Sequence, residues 1–186
     1  HRKYYKMISA KKIALIAILA TSAGSALAID GTIQFRGAFT ETPCVINING
    51  SNTNSTAAVS VPLGTWATEN FANNVGATTD LKPITFTLSS CPDMTQANIR
   101  FNGQADTVNS KLFAIQSGSD TASNVGIGLY KTSNTTDFIE PNTQSLTVPL
   151  TSSSGDVTVY ASYMTTDATV GGGAANADVT IDISYE

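Results

Sequence analysis

The sequence predicts an all-β sandwich, and three observations carry that prediction. Short runs alternate apolar with polar residues at the period of a β-strand. Clusters of serine, threonine, asparagine and glycine separate these runs and read as turns. Beyond residue 28, no stretch keeps the i, i+3, i+4 apolar spacing of a long helix. Many short strands punctuated in this way are the pattern of two packed antiparallel sheets.

Taken in chain order, residues 1–28 come first and read as a secretory signal. Lys11 and Lys12 precede the apolar run Ile13 to Ala20, and Ala26-Leu27-Ala28 offers a small-x-small cleavage site. The uninterrupted apolar run is shorter than the roughly 20 residues a spanning helix needs. Met7 is read as the true start, with residues 1–6 upstream of it. The stretch Gly31 to Phe39 follows. It places Gly31, Ile33, Phe35, Gly37 and Phe39 on one face of an extended strand. Its two readings are a first strand paired within its own sandwich and a strand offered to another chain.

Further strands are expected at Cys44 to Ile48, Ala57 to Leu63, Ile84 to Leu88, Asn98 to Phe101 and Leu112 to Ile115. Others follow at Val125 to Tyr130, Leu146 to Leu150, Val157 to Tyr163 and Ala177 to Tyr185. Turn clusters such as Asn49-Gly50-Ser51-Asn52 and Ser152 to Asp156 lie between them. Residues 65–80 read as a long loop or a single helical turn. In the last strand, Ala177, Val179, Ile181, Ile183 and Tyr185 share one face, while Asp178 and Asp182 lie on the other. No repeat or composition shift marks a second domain.

Charge and cysteine content narrow the function. Residues 1–28 hold five of the ten basic residues and none of the fourteen acids. The remaining 158 residues therefore carry a net charge of −9. So acidic a surface has no footprint for nucleic acid or for an anionic membrane. Cys44 and Cys91 are the only cysteines. Behind a secretory signal they are expected to form one disulfide, worth roughly 4 kcal/mol in the chain-entropy treatment.

No catalytic constellation is expected. The sole histidine is His1, inside the leader, so the exported chain has no imidazole for a nucleophile pair or a zinc site. No glycine-rich phosphate loop leads into a helix, and no aspartate spacing suits a calcium loop. Asp178 and Asp182 read as a solvated strand face. Trp66 reads as loop packing rather than a sugar platform. Catalytic, metal and cofactor residues are therefore expected to be none.

At this point the residues resemble a known family, the pilin subunits of chaperone–usher fimbriae and in particular the type 1 fimbrial proteins. Several pieces carry the resemblance together. They are the alternating segment before Cys44, Val61-Pro62-Leu63-Gly64, Cys91-Pro92, Phe101-Asn102-Gly103, Asn124-Val125-Gly126-Ile127, Pro141-Asn142, Gly173 fourteenth from the end, and a terminal alternating strand with tyrosine next to last. The resemblance implies an incomplete immunoglobulin-like sandwich that lacks its last strand. A donor strand from a chaperone or neighbouring subunit would complete it. Residues 29–42 would be the donor extension and 43–186 the pilin domain. Gly31, Ile33, Phe35, Gly37 and Phe39 would enter a neighbour's groove, with Gly37 at a tight position and Phe39 starting strand replacement. Gly173, Val179, Ile181, Ile183 and Tyr185 would belong to the segment a chaperone recognises.

The function so implied is a structural fimbrial subunit that polymerises by donor-strand exchange and supports bacterial adhesion. The alternative is a minor adaptor or a carbohydrate-binding, adhesin-type subunit. The implied partners are identical or homologous pilin subunits, a periplasmic chaperone and an outer-membrane usher. The implied location is an extracellular fimbrium reached through the periplasm of a Gram-negative bacterium.

Overall fold

Alternating side chains from two sheets meet in one apolar core. The computed structural model describes residues 44–52 and 58–186, all within the unit formed by Thr40–Glu186. The strands are β1 (Val45–Ile48), β2 (Ser51–Asn52), β3 (Lys82–Ser89), β4 (Gln96–Asn102) and β5 (Phe113–Ala114), followed by β6 (Val125–Tyr130), β7 (Gln144–Pro149), β8 (Gly155–Thr165) and β9 (Thr180–Tyr185). A six-stranded sheet runs in the order β2-β1-β3-β8-β6-β5, and a three-stranded sheet in the order β7-β4-β9. All of these pairings are antiparallel.

The strand period decides what enters the core. Ile84, Phe86 and Leu88 of β3 are buried, while Thr87 between them is exposed. The Thr85 hydroxyl meets that of Thr158 at 3.1 Å across the ladder. From the smaller sheet, Ile99, Phe101, Leu146 and Val148 fill the same core. Phe86 and Phe101 meet edge to face with ring centroids 5.6 Å apart, an arrangement favoured by the ring quadrupoles. A second, smaller cluster of Leu112, Tyr130 and Met164 is buried apart from this core, with Phe138 and Tyr160 packed on it. Tyr130 shares a hydrogen bond with Ser162, and burial pushes its phenol above the ordinary tyrosine range. Gly128 makes room there, because a side chain at that position would collide with the Tyr130 hydroxyl.

The observed strands match the sequence expectation in place but differ in length: β1 and β5 are shorter than expected, and Ser51–Asn52, read as part of a turn, pairs with β1 as β2. β3, β4 and β8 each run past the expected ends, because backbone pairing continues after the apolar alternation stops. Two further expectations are corrected. Residues 58–63 join no ladder, although Val59, Val61 and Leu63 alternate as expected; Ala57 lies outside the described residues. The last strand begins at Thr180 rather than Ala177, because its partner β4 ends at Asn102 opposite Thr180. Just past that point, the Gly103 N–H donates to the Asn142 side chain. Residues 65–80 form a loop with one 3-10 turn at Thr68–Asn70.

Cys44 and Cys91 form the expected disulfide, 47 positions apart in sequence. It ties the start of β1 to the turn after β3, next to the pair Val45 and Ser89. Both cysteines are buried. Reducing the bond is expected to lower the unfolding free energy by roughly 4 kcal/mol. Urea unfolding with and without reductant measures that loss directly.

Candidate functional site

Among the described residues, the last strand has a neighbour on one edge only. β9 pairs with β4 from Ala97 opposite Tyr185 to Asn102 opposite Thr180. Among the described residues its other edge pairs with nothing. Its alternation is the expected one. Ile181, Ile183 and Tyr185 are half-buried, whereas Thr180, Asp182 and Ser184 face solvent. The outward carboxylates are bound to amides: Asn102 Nδ2 donates to Asp182 at 2.7 Å, and Gln116 Nε2 to Asp178 at 3.1 Å. Both therefore belong to a solvated face.

Across from β9 lies the unladdered segment 58–63. Between the two opens a cavity of about 190 Å³. Val61 and Leu63 line it on one side and Val179 and Ile181 on the other, with Phe86 and Phe101 among the core side chains between them. Val179 is 37% exposed, so a large apolar side chain stands at the rim without cover. An apolar strand edge beside an open apolar trough is what soluble proteins normally blunt with charge, proline or a covering loop. Here none of the five inward positions from Ala177 to Tyr185 carries a charge.

A second cavity, of about 270 Å³, adjoins the first in sequence. The first is lined by Leu63 and Ala177, the second by their chain neighbours Gly64 and Asn176. Trp66, Phe71 and Tyr163 give it aromatic walls. Trp66 is committed to local packing, as expected. Its Nε1 donates to the Leu63 carbonyl at 2.9 Å, its ring lies against Gly64, and Phe71 meets it edge on. The Tyr163 hydroxyl donates to the Ala175 carbonyl at 2.8 Å, and burial raises its pKa.

Gly173 lies outside β9, in a segment stitched to residues 120–123. Ala122 N–H donates to Ala174 and Ala174 N–H to Asp120, while Ser123 and Gly171 exchange a pair of bonds. Gly173 itself has φ +149°, and a Cβ there would fall 2.5 Å from the Thr121 carbonyl carbon. Its requirement for glycine is therefore a close backbone approach. Val179 precedes β9, and Ile181, Ile183 and Tyr185 lie within it. Tyr185 reaches back to the start of the domain, its hydroxyl accepting the Cys44 N–H at 2.9 Å. Gly31, Ile33, Phe35, Gly37 and Phe39 lie outside the described residues. The opposite wall at Val59, Val61 and Leu63 was read from sequence only as a strand. What signals it is a strand-like alternation interrupted by Pro62, which cannot donate to a ladder.

Comparison with known proteins identifies the class. The family model for fimbrial proteins matches residues 33–186, and the chain belongs to that family. Long polar fimbria protein A of Salmonella typhimurium is 33% identical over 178 residues, spanning 94% of each chain. A probable major fimbrial subunit of Escherichia coli O157:H7 is 33% identical over 95% of this chain and 97% of its own. Among solved structures, an antigen and type I fimbria protein of Burkholderia pseudomallei superposes with TM-score 0.54 at 27% identity, covering 78% of this chain and 91% of its own. The P pilus rod subunit PapA gives TM-score 0.59 over 78% of this chain and the whole of its own; at 14% identity it bears on the fold alone. The chain is thus a chaperone–usher type pilin with an immunoglobulin-like fold. It is a structural subunit of an extracellular fimbria that polymerises with other pilin subunits, and it is not an enzyme.

Gly173→Ala is expected to destabilise the domain by about 1–3 kcal/mol, the range for forcing a side chain into a glycine-only conformation. Thermal unfolding of the variant beside the parent checks this.

Proposed function

We propose that the groove beside β9 receives residues Gly31 to Phe39 of another subunit as its missing strand. The single observation that carries this reading is the apolar edge of β9, unpaired among the described residues, facing the unladdered segment 58–63. An inserted strand would supply hydrogen bonds to both edges and side chains of one parity to the trough. Strand addition of this kind is a known mode for chaperone–pilin complexes. Ile33, Phe35 and Phe39 would be the apolar grip, with Gly37 the small position between Phe35 and Phe39 and Gly31 the small position ahead of Ile33. Burying three large side chains is worth roughly 1.5–3 kcal/mol each, before the cost of ordering the strand.

The rest of the assembly route follows from the same reading. Residues 1–28 direct export and are removed, 29–42 are the donor extension, and 43–186 are the pilin domain. In the periplasm, a chaperone covers the groove and reads the segment from Gly173 through Val179, Ile181, Ile183 and Tyr185. At an outer-membrane usher, the next subunit's extension replaces the chaperone strand, starting from Phe39. The probable major subunit among the relatives favours a place in the fimbrial shaft over a minor adaptor. Nothing favours the carbohydrate-binding alternative, since Trp66 is engaged by Leu63 and Phe71.

Gly37→Arg tests the register. A charged, bulky side chain at the tight position is expected to abolish detergent-resistant polymers while leaving the pilin domain folded. Gel analysis of surface fimbriae reads the outcome, and polymers at parental levels would place the donor elsewhere.

A further inference from the structure

One exposed loop carries an acceptor pattern with its side chains already folded onto one another. Asn134-Thr135-Thr136 has the asparagine-x-threonine spacing at which sugars are joined to the asparagine nitrogen. It lies between β6 and β7, with Asn134 and Thr136 both exposed. The Thr136 hydroxyl donates to Asn134 Oδ1 at 2.8 Å, and the Thr136 N–H donates to the same oxygen at 3.0 Å. A backbone N–H can only donate, so the atom facing it is the carboxamide oxygen and Nδ2 is left over. Among the described residues Nδ2 meets no acceptor. The Asn134 N–H donates to the Thr132 hydroxyl at 3.1 Å, and the Asp137 N–H to the Asn134 carbonyl at 3.0 Å. These bonds join residues two or three positions apart, so the tip takes its shape without help from distant strands.

Two other stretches have the same spacing. Asn54-Ser55-Thr56 lies outside the described residues. Asn49-Gly50-Ser51 belongs to the turn between β1 and β2, where Asn49 Oδ1 accepts the Thr85 N–H of β3 at 2.8 Å. Its oxygen is thus held by another strand rather than by Ser51.

We propose that Asn134 is an N-glycosylation site, taking sugar from a donor whose anomeric carbon carries a pyrophosphate leaving group. Asn134 Nδ2 forms the bond to that carbon. The carbon–oxygen bond to the pyrophosphate breaks, and the pyrophosphate leaves with the electron pair. The nitrogen gives up one proton to a base of the transferase. The two donors on Oδ1 stabilise the charge that moves onto that oxygen as the proton departs. The site is compatible with assembly. Leu129 lines the groove cavity, while Tyr130, next along β6, packs in the smaller cluster with Phe138, its bridge partner across the loop. Successive residues of a strand face opposite sides, so the loop is rooted on the side of the sheet away from the groove.

The test uses the full-length chain in the bacterium that encodes it. Peptides spanning Asn134 are weighed by mass spectrometry from whole cells and from sheared fimbriae, which separates a failure to assemble from an absence of sugar. The Asn134 peptide is expected to be heavier than its sequence by at least one sugar. A single-sugar increment indicates a nucleotide-bound donor, and a longer chain a lipid-linked one. Thr136→Ser keeps the hydroxyl and is expected to keep the modification. Thr136→Val keeps the side-chain shape, removes the hydroxyl and is expected to lose the modification completely. An Asn134 peptide at the mass of its sequence in both samples overturns the proposal, and so does sugar that persists in Thr136→Val.

Discussion

The constraint on which the rest of the molecule depends is a hydrogen-bonding edge that has no partner among the described residues. β9 satisfies β4 on one side and leaves its other backbone edge and one row of apolar side chains beside an open trough. In a protein interior such an edge costs free energy, because polar backbone groups near apolar surface want partners. The family to which the chain belongs gives that cost a purpose. On the proposed reading, a subunit that leaves this edge open closes it with a strand of another chain, and the open edge becomes the bond of the polymer.

The remaining architecture holds that edge in place and keeps it open. β4 is paired on both sides, with β7 and β9, which holds β9 in register. The disulfide fixes the beginning of β1, and Gly173 lets residues 171–174 lie against residues 120–123 just ahead of the last strand. The loop at Trp66 and Phe71 is tied back to Leu63, which holds the opposite wall. Both walls of the groove are therefore anchored by contacts outside the groove.

Much of this was legible in the sequence, and the reason is periodicity. β3 and β8 alternate so cleanly that their faces could be assigned from residue types alone, and two cysteines allow only one intrachain pairing. What could not be read are facts of partnership across long sequence distances. Val59, Val61 and Leu63 look like a paired strand, because alternation reports a buried face and is silent about hydrogen bonds. Ala177 and Val179 continue the pattern of β9, yet they lie beyond the end of β4 and so fall outside the ladder. The bond from Cys44 to Tyr185 joins opposite ends of the domain and leaves no local signature. The family resemblance supplied the idea of an open groove, and the geometry identified its walls.

The most direct measurement is hydrogen exchange of the purified pilin domain with and without a synthetic peptide of residues 29–42. Binding that slows exchange in 58–63 and in Thr180–Tyr185 together, and that is lost when Gly37 of the peptide is replaced by arginine, is what an open sandwich awaiting a strand predicts. A peptide that leaves both walls exchanging as before, or protects only the far edges of the sheets, would contradict it.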